Sequence, residues 1–346
     1  MKKEFCRKLL LCSVSVTVSI SLSCRGSQSA LDPAGIQSER LESLWWLFFS
    51  VTGAVYLIVM TVLLIAFFRR RKASSETSPE LQPKPDGEKR LSNVIKAAVA
   101  LTTIVLFVLM IVSFRAGRVV HSLAQGEDEP LSIRIKGQQW WWEVEYQDKI
   151  PSNNVTTANE IHLPVGRRVK IQVESTDVIH SFWVPNLHGK VDLIPNYRTT
   201  FFLRADKPGT YFGQCAEFCG YQHAKMRFIV IAESPADFDK WLQAQQQPGA
   251  PPTTDSQKRG QEIFLTTTCA QCHTIQGTPA FGRVGPNLTH IASRPYLAAG
   301  SLQNTREHLQ SWVTDAQRIK PGNRMPMNPY SPDDLQALLD YLESLK

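Results

Sequence analysis

Cys215-Ala216-Glu217-Phe218-Cys219-Gly220-Tyr221-Gln222-His223-Ala224-Lys225-Met226 brings two thiols, an imidazole and a thioether into twelve residues, spaced C-x3-C-x3-H-x2-M. Soft and borderline donors on one loop suit copper far better than magnesium or calcium. Two alternatives stand beside copper. A disulfide between cysteines four apart would close a constrained loop and leave His223 and Met226 without a role. Zinc accepts thiolate and imidazole, but methionine is not among its usual ligands.

Outward from this loop, residues 131–232 read as β structure. Leu131-Ser132-Ile133-Arg134-Ile135-Lys136 and Val169-Lys170-Ile171-Gln172-Val173 alternate apolar and polar, and Arg227-Phe228-Ile229-Val230-Ile231 is a short apolar strand. Pro164, Gly166, Pro185, Pro195, Pro208 and Gly209 punctuate the segment. An all-β sandwich over 116–243 is the expectation. It ends in a short helix at 234–243, started by Ser234 and Pro235.

Upstream lie three apolar runs. Lys2, Lys3, Arg7 and Lys8 precede an uncharged stretch from Leu9 to Leu22, the pattern of a secretory signal over 1–23. Cys24 then stands either as a lipidated cysteine or as an ordinary residue before a later cleavage point, since Ser21 departs from the usual lipidation pattern. Within 24–115, residues 44–68 and 97–114 are free of charge and fit two transmembrane helices. Arg69, Arg70, Arg71, Lys72, Lys89, Arg90 and Lys96 crowd the loop between them, which places that loop in the cytoplasm and everything after Arg115 outside.

Downstream, Gln245 to Thr254 is rich in Gln, Pro and Gly without apolar periodicity, so 244–257 is expected to be a flexible linker. Residues 258–346 form a second soluble module with helices at Thr305–Gln317 and Ser331–Leu345. Leu335, Leu338, Leu339, Leu342 and Leu345 make one apolar face of the latter. Cys269-Ala270-Gln271-Cys272-His273 is C-x-x-C-H, the attachment pattern of a c-type haem, with His273 as the proximal axial ligand. A methionine opposite it raises the potential, and Pro321-Gly322-Asn323-Arg324-Met325-Pro326-Met327 offers Met325 and Met327.

The chain of 346 residues carries a formal net charge of +7. Residues 1–115 hold 15 positive and 8 negative side chains, 116–243 hold 14 and 15, and 244–346 hold 9 and 8. The excess is confined to the membrane part, so no basic stripe exists for nucleic acid. Cys6 and Cys12 fall in the signal, and once the copper, haem and Cys24 readings are made none of the 7 cysteines is left for a structural disulfide.

Three motifs together resemble subunit II of a haem–copper cytochrome c oxidase. They are Gly137-Gln138-Gln139-Trp140-Trp141-Trp142, Val178-Ile179-His180-Ser181-Phe182-Trp183-Val184-Pro185, and the Cys215–Met226 loop. The resemblance covers about residues 30–240 and implies a two-helix membrane hairpin with a cupredoxin sandwich holding the dinuclear CuA centre. It implies that Cys215 and Cys219 bridge two coppers, that His180 and Met226 complete one ion, and that His223 and the Glu217 carbonyl complete the other. It further implies that the Glu217 side chain reaches a magnesium ion shared with subunit I, and that an electron enters through Trp140.

Residues 257–346 are similar to class I cytochromes c, a small all-α fold. That similarity puts Met325 ahead of Met327 as axial ligand and gives the Pro286 carbonyl, in Gly285-Pro286-Asn287-Leu288, the task of holding His273. The whole resembles subunit II of the caa type, with a cytochrome fused to its copper domain. The partners so implied are subunits I and III, a donor cytochrome or quinol–cytochrome c reductase, and membrane lipid. The implied place is the bacterial plasma membrane, with both soluble modules on the periplasmic side. A CuA subunit of a nitric oxide reductase is the competing class.

Overall fold

The computed structural model describes residues 26–70, 85–122 and 129–346. The expected signal segment and Cys24 lie outside the described residues, as do Arg71 and Lys72. The chain divides into two compact units, one formed by Arg40–Ser122 and the other by the rest.

The first unit is two long helices, α1 (Ile36–Arg70) and α2 (Pro85–Ser122). Spans of 34 and 32 residues within them each hold an 18-residue window, of mean hydropathy 2.5 and 2.7. Both are therefore long and apolar enough to cross a ~30 Å hydrocarbon core. Leu57, Ile58, Leu101 and Phe107 are exposed, which suits lipid and not water.

The second unit begins with a sandwich of two five-stranded sheets. Its strands are β1 (Leu131–Gln138), β2 (Trp141–Gln147), β3 (Val155–Ala158), β4 (Glu160–Pro164) and β5 (Val169–Ser175). They continue as β6 (His180–Trp183), β7 (Val191–Leu193), β8 (Thr199–Leu203), β9 (Gly209–Cys215) and β10 (Arg227–Glu233). The orders are β3-β2-β1-β5-β8 and β4-β10-β9-β6-β7. Period-two alternation sets the inner faces: Leu131, Ile133 and Ile135 of β1 and Val169, Ile171 and Val173 of β5 are buried, with half-buried polar residues between them. Trp142, Phe182 and Phe228 fill the centre with ring centroids 4.7–6.2 Å apart.

The segment before α1 is sewn to this sandwich. Ala34 N donates to Asn186 O at 2.7 Å, and Asp206 N donates to Ala34 O at 2.7 Å. Gly35 is required there, because a Cβ would stand 2.4 Å from Arg204 O.

Helix α3 (Pro235–Gln245) follows, with Ser234 Oγ accepting from Asp237 N as the Ser-Pro start predicts. The expected linker makes hydrogen bonds to the residues around it. Gly249 N donates to Gln276 O at 2.9 Å, His290 Nε2 bonds Gln247 O at 3.1 Å, and Gln246 Nε2 donates to Asn153 O at 3.2 Å. These bonds satisfy main-chain groups that a Pro-rich stretch cannot pair with itself.

The last module contains α4 (Asp255–Thr266), α5 (Cys269–Cys272), a two-stranded β11 (Tyr296–Leu297) and β12 (Leu302–Gln303), α6 (Arg306–Thr314), α7 (Ala316–Ile319) and α8 (Pro332–Ser344). Helix α4 starts inside the expected linker on a capping box between Thr254 and Gln257. The single helix expected over Thr305–Gln317 is divided. Asp315 leaves helical geometry and its carboxylate caps α7 by accepting from Arg318 N at 3.0 Å. Phe264, Leu338, Leu339, Tyr341 and Leu342 form the core between α4 and α8.

Candidate metal centre

The expected copper donors meet because two strands pair. Phe182 of β6 stands opposite Cys215, the last residue of β9. His180 therefore projects past the end of β9 over the loop that follows. That loop is tied at its base by Cys215 N to Met226 O, 2.9 Å, and by Ala216 N to Ser181 O, 2.9 Å. His180 Nδ1 lies 3.8 Å from Cys215 Sγ, and the donor atoms of His180, Cys215 and Cys219 all lie within 4.8 Å of one another. Cys219 Sγ is 3.6 Å from His223 Nδ1 and 3.8 Å from Met226 Sδ, while Cys215 Sγ is 3.1 Å from the Glu217 carbonyl. All six expected donors share one space, and Cys215 and Cys219 are free thiols rather than a disulfide.

The electrostatics favour one ionised sulfur and an oriented imidazole. A bond with Cys219, set against burial, draws the Cys215 thiol down to about 3, while the bond with Cys215 and burial push the Cys219 thiol up. His180 Nε2 bonds Asp177 Oδ1 at 2.8 Å, leaving Nδ1 turned to the sulfurs. Burial raises the Asp177 carboxyl, but bonds from His180 and from the Gln139 and Val178 N–H groups outweigh it and hold the group below its usual range. Asp177 was not among the residues singled out from sequence. The Glu217 side chain is exposed.

Across the same unit opens a cavity lined by Cys269, Cys272, His273 and Met325. Helix α5 carries both thiols, and His273 follows it with Nδ1 2.7 Å from the Pro286 carbonyl. That bond assigns the proton to Nδ1 and frees Nε2. Burial holds the imidazole below its ordinary pKa despite the Pro286 bond. Met327 is 64% exposed and does not line the cavity, so the two methionines are separated by position alone. Two thiols, an imidazole and a thioether on one apolar wall fit a haem.

Trp140 and Trp141 also line this cavity, although they belong to the sandwich. Trp140 is buried, and its Nε1 donates to the Cys219 carbonyl at 2.8 Å. Trp142 instead fills the sandwich core. The other histidines play structural parts. His188 bonds Gly189 O, His162 pairs with Glu233 and stacks on Trp241, and His290 ties Gln247 to Lys346.

The Cytochrome C oxidase subunit II, periplasmic domain family matches residues 151–233, and the Cytochrome c family matches residues 257–346. Over 330 residues the chain is 31% identical to "Cytochrome c oxidase subunit 2" of Alkalihalophilus pseudofirmus, covering 93% of each. The protein of the same name from Bacillus subtilis is 31% identical over 230 residues, 63% of each chain, and that of Bacillus sp. strain PS3 is 32% identical over 225 residues, 62% of each. With a match of this identity over 93% of its length, the chain belongs to the cytochrome c oxidase subunit 2 family.

Proposed function

We propose that this chain receives electrons for a respiratory terminal oxidase in a bacterial plasma membrane. Electrons come from a donor cytochrome or quinol–cytochrome c reductase, pass through the chain's own c-type haem to a dinuclear CuA centre, and continue to subunit I. There dioxygen is reduced to water with proton pumping. The observation that carries this reading is that one residue, Trp140, touches both sites: it lines the haem cavity and its indole N–H binds the carbonyl of Cys219.

Bound in these sites, the copper pair and the haem would supply one-electron chemistry. The chain's residues hold and orient. Cys215, Cys219, His180, Met226, His223 and the Glu217 carbonyl would hold the copper pair. Cys269 and Cys272 would fix the haem covalently, His273 Nε2 and Met325 would hold its iron, and Pro286 would keep the imidazole aligned. A rigid donor cage keeps geometry nearly constant between oxidation states, which suits transfer rather than bond making.

The exposed apolar side chains Val178, Ile179, Phe218 and Tyr221 surround the copper loop and support an interface with subunit I there. The exposed Glu217 carboxylate is placed to share a magnesium ion across it. The basic residues Arg69, Lys89 and Arg90 keep the loop between α1 and α2 cytoplasmic, which puts both soluble modules outside with subunits I and III in the membrane beside the hairpin. The test is metal and haem analysis of the full chain purified with its partner subunits. Two coppers per covalent haem and a mixed-valence paramagnetic signal are expected. One copper per haem without that signal overturns the dinuclear centre.

A further inference from the structure

The copper-binding sandwich and the haem-binding module meet along a seam whose polar bonds converge on Ile319-Lys320-Pro321, the stretch that leads into Met325. Lys320 is 3% exposed, and its Nζ lies 2.6 Å from Trp140 O and 3.3 Å from Ala298 O. From the other side, Gln222 Nε2 donates to Pro321 O at 2.8 Å and Lys225 Nζ donates to Ile319 O. Gln222 and Lys225 flank the copper donor His223. A second buried cation crosses the seam as well, Arg294 Nε standing 3.8 Å from Glu160 Oε1 with both side chains 5% exposed.

A buried ammonium is an expensive way to fill space. The charges that face Lys320 are Lys225 and Cys219 rather than a carboxylate, and burial draws its pKa down to about 7. Methionine or leucine would fill the same volume without that desolvation cost. What the ammonium adds is direction, because its donors bind two carbonyls, one from the sandwich and one from the haem module. Apolar contact alone tolerates sliding; a buried bond to Trp140 O selects one register.

We propose that Lys320 is a positioning residue that latches the haem module onto the copper domain, holding Trp140 between the haem cavity and Cys219. The inference rests on the reading that electrons pass from the haem to the copper. Without the latch, the two modules remain joined through 246–254 but sample several poses, and transfer becomes limited by their motion.

The experiment uses the full chain with its partner subunits, comparing the parent with Lys320→Met and Lys320→Arg. After laser-triggered reduction of the haem, the parent should transfer its electron in a single phase that is insensitive to solvent viscosity. Lys320→Met should slow the transfer about tenfold or more and make it viscosity-dependent, with haem absorption and the copper paramagnetic signal unchanged. Lys320→Arg should restore most of the rate. A parent-like rate in Lys320→Met, or a viscosity-dependent rate in the parent, overturns the latch.

Hydrogen exchange gives an arm independent of electron transfer. The Arg227 amide donates across the seam to Ala299 O at 3.1 Å, so its protection reports docking. It should exchange about tenfold faster in Lys320→Met, and unchanged protection overturns the proposal even if no transfer is seen in any variant. If Lys320→Met does not accumulate, the surface change Lys225→Met, which removes the parallel bond to Ile319 O, should raise the same exchange severalfold; no rise counts against the latch. Absence of haem-to-copper transfer in the fully loaded parent refutes the electron route and leaves the exchange result to judge the latch.

Discussion

Asp177 stands behind His180, its Oδ1 2.8 Å from Nε2, on the side away from the sulfurs. A carboxylate there fixes the tautomer that leaves Nδ1 free for a metal and raises its basicity. Asp177→Ala should weaken copper binding by about 10–100-fold, read by competition with a copper chelator, while the haem spectrum stays unchanged.

Trp140 is the shared wall of the two sites. Trp140→Leu should leave copper and haem contents intact, because none of the donor atoms belongs to it. It should slow haem-to-copper transfer by about tenfold or more through lost positioning, followed by absorbance at both centres after a laser pulse. An unchanged rate would remove Trp140 from the route.

Met325 and Met327 are two residues apart, yet only Met325 lines the cavity. Met325→Ala should abolish the sulfur-to-iron absorption band at long wavelength and lower the haem potential. Met327→Ala should change neither, as expected of a side chain that is 64% exposed.

Gly285 sits against the ring of His273, where a Cβ would stand 2.5 Å from Cε1 and 2.9 Å from Nδ1. Gly285→Ala must push the imidazole off the Pro286 carbonyl. A loss of about 1–3 kcal/mol in the stability of the haem module is expected, together with weaker axial ligation in the optical spectrum.

Asp340 links three elements, accepting from Ser256 Oγ at 2.6 Å and from Arg306 Nη2 at 2.7 Å. The Ser256 bond, and behind it Arg306, holds its carboxyl below the usual 3.8. A carboxylate depressed on folding stabilises above its unfolded pKa and loses that contribution as pH falls through the folded value. The side chain is 35% exposed, so solvent screening limits the effect to below about 1 kcal/mol. Asp340→Asn should lower the thermal midpoint at pH 7 by a few degrees, and the difference should vanish as pH falls through the lowered carboxyl pKa.

The donors written close together were legible from the order of residues, since Cys215 to Met226 lie on one loop and Cys269, Cys272 and His273 on another. His180 was reached through its motif, because only strand pairing brings a residue 35 positions away over the loop. Asp177 carries no signal of its own, being one more aspartate in a turn until the fold places it behind the histidine. The start of α4 was readable in Thr254-x-x-Gln257 but was hidden by the Pro- and Gly-rich residues beside it. The seam was not readable at all. Lys320, Arg294 and Glu160 look like ordinary surface charges in sequence, and their burial depends on two separately folded modules coming together.

The haem cavity borrows part of its wall from the sandwich, and this sets an order in time. Cys269 and Cys272 line the cavity behind Trp140 and Trp141, so a large planar group and the enzyme that attaches it reach those thiols most readily while the last module is still apart from its neighbour.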